Sequence, residues 1–508
     1  MRREVLLFFF LLLVWSSETC YPTCLENISL DNWVYRDLEE LHTAGLLPGL
    51  HKNIRPYSTG DIVSSLKDIR QRMNTGELKL DEDQVWLIQK LEEKFKYELE
   101  ESCSQEGKIK YGIDPLFYLY QEKDSTTFRF KMRIEGAIQL EDKFLLKGRA
   151  AVDNQSDRET DYYVRKWKKN LIGTMDEAYT IIDFRYLKLF FGREALAWGP
   201  SFRDNLLLSN HFPPLDMLKL ESEIGSFKLL YFTTILDQKE ISDGNWAKRY
   251  FSAHRLDWKS NFGLEIGLSE VILYGGSNRN IETYYLNPLL PYYAEQFNHD
   301  TDDNPLWSID FNLVFKSKEL YGEFLIDDFQ YDFKTEPQQI GFQLGINWHE
   351  PFKFKKTFLN LEYTRINKWV YGEYPSWNIY TYHNVGMGSF LGPDADDISF
   401  KILHHLKGDF SFSISLEYKR KGEGRIDEAQ EPAVPFPENF PSGIVEYTKG
   451  VNITSFYRPN SNLGINFWFD YQNVKNYLNL GNNHKNFYEV GIELNWTFLK
   501  ENLFNWKK

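Results

Sequence analysis

The side chains able to do acid–base, nucleophilic or metal chemistry are scattered along this 508-residue chain. His404 and His405 are neighbours, as are Asp327 and Asp328. On a β-strand adjacent side chains point to opposite faces, so neither pair can close on one ion or one proton. The three cysteines, Cys20, Cys24 and Cys103, lack metal-ligand spacing. There is no HExxH, no GxSxG, no phosphate-binding glycine loop and no CxxC pair. What recurs instead is aromatic rings interleaved with amides, bases and carboxylates. Tyr162, Tyr163, Arg165 and Trp167 fall in one such stretch, Tyr284 and Tyr285 in a second, and Trp369 and Trp377 in a third. Flat rings cover the C–H faces of sugars while polar groups meet the hydroxyls, which makes these candidate polysaccharide contacts. The alternative is that the rings pack the loops or form a membrane girdle. The expected class is a binding protein, not an enzyme, with no metal and no cofactor.

The elements that must carry these stretches alternate. In GLEIGLS (263–269), Leu264, Ile266 and Leu268 face one way, Glu265 and Ser269 the other. IDFNLVF (309–315), IGFQLGINW (340–348), LGINFWFDY (463–471) and VGIELNWTF (490–498) repeat the pattern. Period two means β-strand. Aromatics reach 17%, yet charged residues are 26% and mean hydropathy is −0.49. That combination arises when lipid-facing and water-facing positions alternate, as in a transmembrane barrel. Residues 106–498, at roughly 20–24 per strand and turn, give some 16–20 antiparallel strands, with 499–508 as a C-terminal extension. Both signs of charge line the inward face, Arg129, Lys131 and Arg133 beside Glu265, Asp310, Glu323 and Glu362, which suits a narrow or plugged lumen. Long connections fall at 154–176, 274–306, 367–397 and 420–446, where function concentrates.

The N-terminus differs. Arg2 and Arg3 precede an apolar run from Val5 to Trp15, so residues 1–19 read as a secretory signal peptide, too short for a spanning helix. Ser17-Glu18-Thr19 lacks the small uncharged lead of a lipidated cysteine at Cys20. Residues 25–105 read as three amphipathic helices that dock on the barrel. Their apolar stripes are Trp33, Leu38, Leu41 and Leu46; Ile62, Val63, Leu66 and Ile69; and Val85, Ile88, Leu91, Phe95 and Leu99. A Cys24–Cys103 bridge would cross this bundle; unpaired thiols are the alternative. The net charge of −14 excludes a generic nucleic-acid binder.

One long stretch carries a resemblance. GREALAWGPSFRDNLLLSNHFPPLDML (192–218) is similar to a segment of the Wzi capsule-assembly family, with Gly192-Arg193, then Trp198-Gly199-Pro200, then a Leu-Leu-Leu-Ser run. RLDWK (255–259), GLSEVILYGG (267–276), YYLNPLLPYYAEQ (284–296), DTDDNPLWSIDF (300–311) and LYGEFLIDDFQ (320–330) follow in the family's order. The resemblance implies a mainly β fold, an outer-membrane barrel of about 18 strands, with a periplasmic helical bundle and extracellular loops. It implies a surface lectin that anchors capsular polysaccharide, without catalysis; a porin or transport channel is the alternative. The partners would be surface polysaccharide, outer-membrane lipid and the barrel assembly machinery, with no nucleic acid, and the protein a monomer. Gly192, Gly199 and Pro200 are expected at a strand end and turn, Asn287-Pro288 at a loop start. Arg193, Arg203, Asp327 and Asp328 are expected in lumenal ion pairs. Arg165, Lys166, Lys168 and Lys169 would offset the chain's acidity toward an acidic capsule; an ordinary solvated charge run, the commoner case, is the alternative.

Overall fold

The structure, a computed structural model, describes residues 24–100, 108–123, 125–154, 164, 171–242, 244–328, 337–406, 409–429 and 439–502. Among them, eighteen antiparallel strands close into one barrel. No helix among the described residues is long and apolar enough to cross a membrane. Each barrel strand pairs with its neighbour in sequence, and the ring shuts where Leu116–Glu122 pairs with Glu489–Asn495. The last strand does not end at Phe498. After Thr497 it continues as Phe498–Asn502, paired with Ile109–Ile113. The expected boundary at 498 therefore moves to 502, because the first strand begins at Lys108 and leaves backbone donors and acceptors there for a partner.

Burial is inside-out relative to a soluble protein. Leu268, Ile309 and Leu344 are exposed while Glu265, Asp310 and Asn347 beside them are buried. Apolar side chains face outward, to lipid, and polar ones inward, as the alternation of these strands requires. Long connections gather at one end, including 277–303, 367–394 and 422–445, and turns of two to seven residues such as 225–226, 260–263 and 350–356 at the other.

The helices sit at the short-turn end: α1 (Val34–Thr43), α2 (Thr59–Asn74) and α3 (Glu82–Lys94), followed by a turn of helix at Lys96–Glu100. Ser58 caps α2 in a capping box with Asp61, and Asp81 caps α3 in one with Gln84, so two starts are fixed by local chemistry. The stripes Leu38 and Leu41, Ile62, Leu66 and Ile69, and Ile88, Leu91 and Phe95 meet in one core. Val85 is half-buried; Leu87 takes the core position instead. Cys24 is disulfide-bonded, and both other cysteines lie outside the described residues.

The bundle is keyed to inward-facing polar groups of the barrel. Lys52 pairs with Glu319, Asn53 Nδ2 donates to Asp310 at 2.7 Å, and the Lys52 and Asn53 amides donate to Glu265 at 3.2 and 3.3 Å. Burial draws His42 and His51 down to about 4, although Glu319 and Glu265 stand 3.9 and 3.7 Å away. Between bundle and wall remains a cavity of about 440 Å³ lined by both signs of charge. Partial desolvation would raise the half-exposed Asp31, but Arg149 and Arg133 there outweigh it and hold its carboxyl well below the usual carboxylate range. Burial alone would raise Glu26, but Lys110 and Lys147 outweigh it and bring its carboxyl down to about 2.

Candidate functional site

The Trp-Gly-Pro stretch lies inside the barrel and not at a rim turn. The connection 195–214 folds inward because its apolar residues have a place only in the interior: Trp198, Leu206, Leu207 and Leu208 are almost wholly buried. Trp198 packs edge-on against Phe232 of the wall, ring centroids 5.3 Å apart. Ala197–Trp198 makes a two-residue ladder with Ile54–Arg55 of the bundle, and Arg55 donates to the carbonyls of Gly199 and Ser201 at 3.0 and 2.6 Å. Gly199 takes φ +128°, and a Cβ there would collide with Asn205, so this tight approach requires glycine. Gly192 lies within a strand, also at positive φ, where a Cβ would strike the carbonyl of Ala178.

Barrel carboxylates hold this segment in place. Glu323 accepts the amides of Leu206 and Leu207 at 2.8 and 2.9 Å, and Glu362 accepts the Ser201 hydroxyl at 2.7 Å. Arg203 pairs with Asp397 at 2.5 Å and Glu417 at 2.9 Å, the lumenal ion pair its position implied. Arg193, expected in a lumenal pair, instead shares the outward parity of Phe191 and pairs with the exposed Asp216 at 2.5 Å, because alternation from the buried Glu194 turns it away from the lumen. Asp327 instead accepts the backbone amide of Tyr371, while Asp328 on the opposite face is exposed.

From the other end the connection 367–394 folds down onto the same segment. Tyr371 Oη donates to the Leu206 carbonyl at 2.6 Å, and Tyr380 Oη to that of Leu207 at 2.8 Å. Arg249 reaches from the wall to donate to the carbonyls of Trp377, Ile379 and Thr381, each at 2.7 Å. Asp204 sits at the junction; burial pushes its carboxyl up to about 7 although Ser389 and Ser209 donate to it. Bundle, inward segment and folded loop thus stack into one filled lumen.

The candidate contact residues scatter. Tyr162, Tyr163, Arg165 and Trp167 lie outside the described residues, as do Lys166, Lys168 and Lys169. Trp369 is 5% exposed, with the Lys368 ammonium 4.5 Å over its ring. Trp377 is half-buried near Tyr374, which is 74% exposed at the long-loop end. Tyr285 is buried, and Tyr284 is half-buried and stacked on His299, centroids 4.3 Å apart. Asn287 is exposed and Pro288 half-buried on the same connection. Of the lumen's fastening residues, Glu323 and Glu362 were legible as inward charges but not as partners of particular loops, and Arg55, Arg249 and Glu319 were not singled out.

His51, Asp257 and Glu265 bring ligand atoms within 4.8 Å of one another. Arg255, however, donates to both oxygens of Asp257 and also to Asp310, so this is an ion-pair network closed around a guanidinium.

The family model for capsule assembly protein Wzi matches residues 114–488. A solved structure described as Wzi, an outer-membrane protein involved in group 1 capsule assembly in Escherichia coli and a carbohydrate-binding β-barrel, superposes with a TM-score of 0.64 at 14% identity, covering 95% of this chain and 100% of its own. Pseudomonas aeruginosa OprD gives a TM-score of 0.47 at 9% identity, covering 77% of this chain and 95% of its own. No curated protein sequence matches the chain. With a family match over most of its length, and the same barrel as that solved relative, the chain belongs to the Wzi capsule assembly family.

Proposed function

We propose that this protein binds surface polysaccharide and anchors it at the long-loop end of an outer-membrane barrel, with the bundle on the periplasmic side. The observation that carries the reading is the filled lumen. Trp198 and Leu206–Leu208 in the interior, held by Glu323 and Arg55 and roofed by Tyr371 and Tyr380, occupy the path a solute would take. A barrel filled from both ends offers its rim, not its bore, to a ligand. The E. coli relative, described as a carbohydrate-binding barrel in capsule assembly, supports a saccharide as that ligand. At the rim, Tyr374 and Trp377 offer rings with Glu373 and Asn384 on the same loop and with Lys239 of the strand Phe227–Ser242, which donates to Asn384. Rings and polar groups in that mixture suit pyranose faces and hydroxyls.

The test is the ratio of cell-attached to shed surface polysaccharide with and without the gene. Shedding at unchanged total synthesis is the expected result. An unchanged ratio would overturn the anchoring role.

A further inference from the structure

The connection 277–303 turns down over the outside of the barrel. Its Tyr285 and Tyr292 pack on Tyr250, Ile272 and Tyr274, which point outward from strands Asn245–Lys259 and Leu264–Gly276. In phase with them, one step nearer the belt, His254 and Glu270 also point outward. A charged group on a lipid-facing wall is destabilising near the midplane and less so toward the interface. Here the loop covers it. Glu270 accepts the backbone amides of Tyr292 and Tyr293, each at 2.9 Å, at the start of the helix Tyr292–His299. His254 Nε2 lies 3.0 Å from the same carboxylate, and its ring stacks on Tyr292 at 4.4 Å. The polar pair thereby fixes the loop to the outer wall.

Beside this fastening, Pro288, Leu289 and Pro291 roof a groove of about 410 Å³. Its floor is the outward apolar row, Leu256, Leu268, Ile309 and Phe324. Leu289 is 74% exposed, and Phe297 of the same loop 80%. The register row from Leu268 continues through Ile309, Phe324 and Phe342 and then turns cationic at Arg365. Because strands in a barrel tilt, such a row climbs from belt to rim. The groove therefore lies on the belt side of that row, below the rim that Arg365 approaches.

We propose that this groove holds one acyl chain of a membrane lipid from the leaflet at the long-loop end, clamped between the loop and the wall. Continuity with the belt decides the occupant, since the floor residues are the ones lipid already covers on either side. Leu289 adds a roof that bulk lipid lacks, so one chain is enclosed on two sides. The proposal rests on the barrel being embedded in a membrane and is independent of polysaccharide binding.

The test uses the full chain, with Leu289→p-benzoylphenylalanine, reconstituted in phosphatidylcholine vesicles carrying an alkyne at the acyl terminus. On irradiation, capture of the tagged chain at position 289 should exceed by at least fivefold that at position 374 in a Tyr374→p-benzoylphenylalanine control. Filling the floor with Leu268→Trp or, separately, Leu256→Trp should lower capture at 289 several-fold, while heat-modifiable migration reports that each variant is folded. Capture at 289 no greater than at 374 would overturn the proposal, because the loop would then stand clear of the membrane. Capture undiminished in both folded tryptophan variants would overturn it too, as contact with bulk lipid only. In native membranes, capture of a protein in place of lipid would assign the groove to a different occupant.

Discussion

Glu40 of α1 and His405 at the end of a barrel strand face each other across the bundle–barrel boundary, Oε2 to Nε2 at 2.9 Å, both almost fully buried. His405 Nδ1 is 2.7 Å from the Ser411 hydroxyl, so both ring nitrogens are engaged and the ring is fixed in place. Trp86 of α3 packs edge-on against that ring at 5.1 Å. Removing the imidazole leaves a buried carboxylate without its partner, which costs about 3 kcal/mol. His405→Ala should expose the bundle to limited proteolysis at least tenfold faster, while the barrel keeps its heat-modifiable migration. Unchanged cleavage would show that this pair does not hold the bundle.

Docking of the bundle should weaken in acid. His42 and His51 are held at about 4 by burial, against an unfolded value near 6.5. The undocked state therefore takes up protons that the docked state refuses as pH falls below 6.5. The stabilisation is fully present above that value and drains away toward pH 4, by about 3 kcal/mol per histidine. Protease accessibility of residues 24–100 followed from pH 7.5 to 4.5 checks this. His42→Gln with His51→Gln should flatten the profile, and a rise in accessibility toward alkaline pH would contradict the sign.

Planar-bilayer recording should find no steady single-channel level for the full chain. The stacked lumen, Trp198 against Phe232 below and Tyr371 and Tyr380 above, leaves the rim as the working surface. A stable ohmic level of the size seen in open porins would favour the transport reading instead.

Two tryptophans of one loop should behave differently. Trp377→Ala removes a half-buried ring near the rim and should weaken polysaccharide binding about tenfold, the equivalent of about 1.4 kcal/mol, with little loss of stability. Trp369→Ala removes a buried ring and leaves a cavity beneath the loop, which should cost about 3 kcal/mol of loop stability. Binding to purified polysaccharide, measured beside thermal unfolding, separates the two effects. Equal loss of binding at equal loss of stability would remove Trp377 from the contact surface.

The strands were legible because their signal is local. Leu264, Ile266 and Leu268 against Glu265 and Ser269 need no partner to declare a period of two, and the inside-out burial follows from it. Ser58 with Asp61 and Asp81 with Gln84 fix two helix starts through contacts just as local. The mixed inward charges suited a narrow or plugged lumen more than a wide channel, without excluding the channel. What filled it was not legible. The Trp198-Gly199-Pro200 stretch read as a strand end and turn, and only Arg55 and Glu323, 144 and 117 residues away along the chain from Gly199 and Leu206, decide that the segment turns inward. The outward loop had a clue that passed unused: Glu270 lies in phase with Leu268 and Ile272, where a lipid-facing row should hold no carboxylate. Sequence periodicity assigns each side chain a face. Which loop comes to cover that face depends on contacts between residues far apart in the chain, and those exist only once the barrel has closed.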